Sequence, residues 1–189
     1  KNFSKYMRKN KKKIYDMKRS KTSCFGCTTT IVYDLKDKKT LKQFLSLSGT
    51  LVNCSGGPTP WKSWISCEET VKIKGPGLNK NHGYNFEVPA TSNIKLHKAV
   101  PFKAMGRFKH EAIAVDQKHN FIYQTEDRKK GLFYRFIPRE YGELNKGGNL
   151  QALSLKNFRG TDCSNWKQKM FNVGQRRLVK WIDLDNVDS

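Results

Sequence analysis

Two short stretches of this sequence combine residue types that could do chemistry. In HEAIAVDQKHNFIYQTEDRKKGLFYRFIP, a hairpin centred between Lys118 and His119 sets Glu111 opposite Glu126. Like charges directly across an antiparallel pair destabilise it by a few tenths to ~1 kcal/mol unless a cation sits between them. His110, Asp127 and Arg128 adjoin, so the same end of the hairpin gathers carboxylates, an imidazole and a guanidinium. Hard cations take oxygen ligands from Asp and Glu, and a bound metal can polarise a phosphoryl oxygen and supply a nucleophilic hydroxide. The planar fork of an arginine suits phosphate. The plainer alternative leaves Glu111 and Glu126 on an exposed strand end, paired with the abundant lysines.

The second stretch is NCSGGPTPWKSWISCEET, where Cys54 closes an apolar strand and Glu68 and Glu69 end the next one. A thiolate beside carboxylates suits a softer or trivalent metal such as iron better than calcium alone. As a simple hairpin with SGGPTP for its connection, the stretch would hold Cys54 and Glu68 roughly 20 Å apart, at ~3.3 Å per residue. They share a site only if SGGPTP crosses the blade or passes to another one. As structure alone, Cys54 reads as a small buried hydrophobe and Trp61 and Trp64 as core.

The elements that must position these groups are strands. From Cys27 onward, short runs of β-branched and aromatic residues alternate with Gly, Pro, Asn and Asp. Strands are predicted over 29–35, 43–47, 50–54, 63–67, 84–88, 111–115, 121–125, 132–137, 150–155 and 179–184, with turns at 116–120 and 128–131. Successive strands of this kind form a β-meander, the sequence signature of a propeller blade, with a sandwich as the rival architecture. At roughly four strands per blade they make two or three blades, fewer than a closed propeller needs. The expected fold class is therefore all-β, a partial β-propeller made of antiparallel meander blades.

Charge divides the chain. It carries 37 Lys or Arg against 16 Asp or Glu, a net +21. Residues 1–22 hold ten of those bases and one acid, Asp16, which predicts a basic, flexible tail ahead of a propeller domain over 23–189. A basic field attracts polyanions in general, nucleic acid and phosphorylated molecules among them. No run of ~18 apolar residues exists, so no membrane-spanning helix is expected, and the opening lacks the apolar stretch of a signal peptide. The five cysteines are odd in number. Cys24 and Cys27 form a lone CxxC without the second ligand pair that zinc needs, and ordinary thiols are the leading expectation.

Read in order, GCTTTIVYDL, NCSGGPTPWKSWISCEET, HGYNFEVPA, AMGRFKHEAIAVD, YQTEDRKKGLFYRFIP, LQALSL and VKWIDLDNVD resemble the PhoX-type alkaline phosphatase family from Gly26 to Asp188. The resemblance implies a propeller whose centre holds calcium and iron and hydrolyses phosphomonoesters after export by the twin-arginine route. It implies a periplasmic or extracellular place and a monomeric full-length enzyme longer than this chain. By motif, Cys54 would be the iron-binding thiolate. Glu68, Glu69, Glu111, Glu126 and Asp127 would be metal ligands, and Arg128 the catalytic phosphate contact. The lysine-rich segment and SCFGC before Thr28 depart from the family pattern. Asp183, Asp185 and Asp188 could add calcium ligands, although a polar turn after a strand accounts for them equally simply. Two other function classes stand beside the enzyme: a non-catalytic calcium-binding propeller, and a polyanion-binding module that holds nucleic acid.

Overall fold

The computed structural model describes residues 2–17, 26–158, 160–166 and 169–189. Cys24, half of the CxxC, lies outside the described residues. A helix α1 (Asn2–Lys9) is followed by ten strands: β1 (Gly26–Asp34), β2 (Lys39–Thr50), β3 (Asn53–Pro58), β4 (Ser63–Glu68), β5 (Asn85–Pro89), β6 (His110–Asp116), β7 (Phe121–Glu126), β8 (Phe133–Pro138), β9 (Gly148–Leu155) and β10 (Val179–Asp183). Strands β1 and β2 form a two-stranded ribbon, and the other eight form one sheet in the order β10-β9-β8-β7-β6-β3-β4-β5. Two antiparallel meanders, β3 to β5 and β6 to β10, make up that sheet, in the all-β, blade-like architecture of an open propeller that the sequence predicts. The join between them was not foreseen: β3 runs parallel to β6, with Gly56 opposite Ala112.

Strand β3 starts later than its sequence pattern suggests. The expected strand 50–54 is split: Thr50 ends the long strand β2, Leu51 and Val52 turn the chain, and the connection SGGP becomes the strand. Val52 adopts φ 46°, an uncommon conformation for a β-branched residue, and its carbonyl accepts from the Glu69 amide at 2.9 Å. The two glycines serve close approach and not a turn. A Cβ on Gly56, whose φ is +117°, would overlap the Ile65 carbonyl of β4, and one on Gly57 would overlap the Ile113 carbonyl of β6.

Two cores flank this sheet. The larger packs Ile65, Phe102, Met105, Ile113, Ile122 and Phe136 with their neighbours. The smaller joins Tyr15, Leu47, Tyr84, Phe86, Val88 and Ala99. Of the two tryptophans expected in a core, Trp61 packs against the larger one and donates to Glu87 Oε1 at 2.6 Å, whereas Trp64 is exposed.

Tyr15 in a core modifies the expectation of a flexible tail over residues 1–22. Ile14, Tyr15 and Asp16 are all buried. The Tyr15 amide donates to the Ser48 carbonyl at 3.0 Å and the Asp16 amide to the Gly49 carbonyl at 3.1 Å, extending the hydrogen bonding of β2. Lysines on either side can remain in water while this apolar pair docks, which charge density alone does not reveal. The Asp16 carboxylate accepts from the Asn79 amide at 2.9 Å and the Lys80 amide at 3.1 Å, and lies 3.3 Å from His82 Nε2. Burial pushes its pKa up, but bonds from Asn79, His82 and Lys80 outweigh that and hold it below the usual value.

Two predictions follow from these contacts. Gly57→Ala must push β3 away from β6, costing about 3 kcal/mol, and the urea midpoint should fall accordingly; an unchanged midpoint would mean the strands can separate freely. Because the folded pKa of Asp16 is depressed, its contribution is fully present above the unfolded value of about 3.9 and is lost as pH falls through the folded one. Wild type should therefore lose more stability between pH 7 and pH 3 than Asp16→Asn does, as read from paired melting curves.

Candidate metal centre

At the start of β3, at the end of β4 and in β6, three side chains converge. One ligand atom each from Cys54, Glu69 and Glu111 lies within 4.8 Å of the others. The Cys54 thiol donates to Glu111 Oε1 at 3.2 Å. All three residues are half-buried. Asp127, just beyond β7, joins them through a side-chain hydrogen bond to Glu69.

The strand register explains the convergence. Asn53 pairs with Glu68, so Cys54 and Glu69 stand at the same end of the β3–β4 hairpin. The simple hairpin that would hold them roughly 20 Å apart does not form, because the strand begins at Asn53 and runs through SGGP. The β6–β7 register also differs from expectation. From Ile113 to Asp116 the pairs are those of a hairpin centred between Lys118 and His119, but an irregularity between His110 and Ile113 puts His110, and not Glu111, opposite Glu126. The extra residue re-aims Glu111 out of the β6–β7 ladder and toward Cys54, the usual effect of a bulge beside a site.

The electrostatics of the cluster are those of acids without a counter-charge. Among the described residues, no basic side chain forms an ion pair with Glu69, Glu111 or Asp127. The hydrogen bond with Asp127 is the main cause that lifts the Glu69 carboxyl above its usual pKa. Two carboxylates can share such a bond only by holding a proton between them. Burial, followed by the bond to Glu111, pushes the Cys54 thiol up to about 11. A cation would relieve both strains by taking the place of the protons, and one sulfur with several carboxylate oxygens is a donor set that fits iron, with room for a harder ion on the oxygen side.

Glu68 and Glu126, expected as ligands, lie outside this cluster. Glu68 is fully buried and accepts from the Leu51 amide at 2.8 Å, the Gly83 amide at 2.7 Å and the Tyr84 amide at 3.2 Å, with His82 Nδ1 2.7 Å away. Its oxygens are committed to holding loops together. Consecutive residues leave a strand on opposite faces, so only one of the Glu68–Glu69 pair can reach the centre. Glu126 accepts from the Tyr134 hydroxyl at 2.9 Å and the Leu132 amide at 3.1 Å. Arg128 approaches it at 3.7 Å, with the guanidinium side chain 67% exposed. Asp183 and Asp188 are likewise engaged, Asp183 with Gln151 Nε2 at 2.8 Å and Asp188 with Lys103 Nζ at 2.6 Å. Cys67 is buried, and burial pushes its thiol up to about 12. Among the described residues Cys27, Cys54, Cys67 and Cys163 are free thiols.

Sequence inspection missed the partners that fix this centre. Asn53 Nδ2 donates to Ser66 Oγ at 2.8 Å and Thr50 Oγ1 donates to Asn53 Oδ1 at 2.6 Å, locking the first residue of β3. His82 bridges Glu68 and Asp16, which are 14 and 66 residues away in sequence, a separation that no local pattern signals. Among the described residues no helix is long and apolar enough to cross a membrane.

Comparison with known proteins places the chain in a family. No curated protein matches the chain. The solved structure of Pseudomonas fluorescens PhoX in complex with vanadate, a transition state analogue, matches with a TM-score of 0.42 and 20% identity, over 68% of this chain and 30% of that one. The chain thus spans about 30% of the length of the solved relative. The family model for alkaline phosphatase PhoX matches residues 17–189, which takes in every strand and every residue of the cluster, and the chain belongs to the PhoX alkaline phosphatase family.

Proposed function

We propose that this chain carries part of the catalytic centre of a metal-dependent phosphatase that hydrolyses phosphomonoesters, in the periplasm or outside the cell. The observation that carries the proposal is the convergence of Cys54, Glu69 and Glu111 within 4.8 Å, with Asp127 bonded to Glu69. Cys54, Glu69 and Glu111 would hold iron, and Glu69, Glu111 and Asp127 offer the oxygens that calcium requires. The metals would act as Lewis acids that neutralise phosphoryl oxygens.

The remaining roles fall to the chain itself. Arg128, extended into solvent and tethered to Glu126 at 3.7 Å, would present its planar fork to two phosphoryl oxygens. Glu126 anchors that arginine while its own other bonds to Leu132 and Tyr134 fix the 127–132 turn. Glu68 and His82 keep the end of β4 in place, so that Glu69 and Cys54 meet without rearrangement. Such preorganisation matters because a ligand misplaced by ~1 Å can cost 10²-fold in rate.

Elemental analysis of the purified full-length protein, with an assay on a generic phosphomonoester, tests the proposal. Iron and calcium with turnover are expected; calcium alone without turnover would point to a non-catalytic calcium-binding propeller, and neither metal would refute the centre. Cys54→Ser and Glu111→Gln should each lower kcat about 100-fold or more, in line with what losing even outer-shell support costs a metal site. Glu68→Gln should lower the melting temperature while the iron that binds keeps its full set of oxygen neighbours by X-ray absorption; loss of an oxygen neighbour instead would make Glu68 a ligand.

A further inference from the structure

Away from the acidic centre, the fold builds a basic cavity that metal chemistry does not use. It has a volume of about 530 Å³, and its walls include Tyr15, Tyr84, Lys74, Lys80, Lys98 and Lys103. That size is within the range of small-molecule sites. None of Cys54, Glu69, Glu111 and Asp127 lines it, and among the described residues no acid does.

Two separate pieces of chain carry the four lysines that line it, and a third supplies the Tyr15 ring. The loop before β5 carries Lys74 and Lys80 at its two ends: Gly75 and Leu78 pair across it, and the Lys74 amide donates to Asn81 Oδ1 at 2.8 Å. The Lys80 amide is fixed on the buried Asp16 carboxylate at 3.1 Å. The segment before β6 carries Lys98 and Lys103, and the Ala99 amide donates to the Lys13 carbonyl at 2.8 Å. The basic segment at the start of the chain supplies Tyr15, whose hydroxyl donates to the Asn81 carbonyl at 2.6 Å and whose ring lies 4.6 Å beneath the Lys80 ammonium. Tyr15 precedes the residues matched by the family model.

The cavity is short of negative charge. Lys103 has an ion pair with Asp188 at 2.6 Å, but among the described residues Lys74, Lys80 and Lys98 have none. Of the two acids next to the cavity, Asp16 is buried and occupied by Asn79, Lys80 and His82, and Asp188 is held by Lys103 and the Tyr84 hydroxyl. Like charges held around one concavity raise the local potential and concentrate anions. A single phosphate carries too little charge to balance the three unpaired lysines, whereas linked phosphates carry enough.

We propose that this cavity is a binding site for a small anion carrying two or more linked phosphate groups, held by Lys74, Lys80, Lys98 and Lys103 over the Tyr15 ring. The site is separate from the metal centre and does not depend on the activity proposed for it. Calorimetric titration of the full chain with inorganic tripolyphosphate, and in parallel with orthophosphate, at low ionic strength tests it. Tripolyphosphate should bind one to one and at least about 10-fold more tightly than orthophosphate. The triple variant Lys74→Gln/Lys80→Gln/Lys98→Gln should weaken it by about 10-fold or more. A control triple in the β1–β2 turn, Lys36→Gln/Lys38→Gln/Lys39→Gln, and the metal-centre variant Glu111→Gln should each leave it within about twofold. Equal weakening by the two triples would overturn the proposal in favour of diffuse attraction to a basic chain, and loss in Glu111→Gln would overturn it in favour of binding at the metal centre.

Discussion

Strand β3 can lie against both β4 and β6 only because Gly56 and Gly57 carry no side chains at the contact. The hydrogen-bonded partners on the two sides run in opposite senses, antiparallel to β4 and parallel to β6, so β3 joins two meanders that would otherwise be separate sheets. Everything at the candidate metal centre inherits its position from this join. Cys54 is two residues before Gly56, Glu69 follows the last residue of β4, and Glu111 precedes the Ala112 that pairs with Gly56. Spreading the strands by the width of one methyl group would separate the thiol from both glutamates at once.

Around that join the acidic residues divide into two kinds by what their oxygens meet. Glu68 and Asp16 are buried, yet each is surrounded by amide donors, and His82 links them. Such carboxylates are satisfied, and they stabilise loops. Glu69, Glu111 and Asp127 are less buried but meet each other and a thiol, an arrangement that repels unless protons or a cation fill it. The chain as a whole is strongly basic, so unpaired acids next to one another contrast with their surroundings. Abundant lysines could have neutralised them, and in the fold they point elsewhere, four of them around one cavity.

Much of this was legible in the sequence, and the parts that were not share a physical cause. Strands β6 to β9 were readable because alternation and turn residues are local, and the all-β class with them. Cys54, Glu69, Glu111 and Asp127 were readable as chemistry-bearing residues, but their partnership was not. An irregularity between His110 and Ile113 shifts the pairing by one residue, and nothing in HEAIAVD marks it. The pair of glycines in SGGP looks like a turn, and only the facing carbonyls of Ile65 and Ile113 show that it is a strand in close quarters. The docking of Ile14 to Asp16 was hidden by flanking lysines, since two apolar residues and one acid do not stand out in a segment of ten bases.

The central claim is that Cys54, Glu69 and Glu111 share one cation. X-ray absorption at the iron edge of the metal-loaded protein tests it most directly, because sulfur and oxygen neighbours scatter differently. The account predicts one sulfur and otherwise oxygen neighbours around iron in the wild type, with the sulfur absent in Cys54→Ser. Iron surrounded by oxygen alone in the wild type would contradict it.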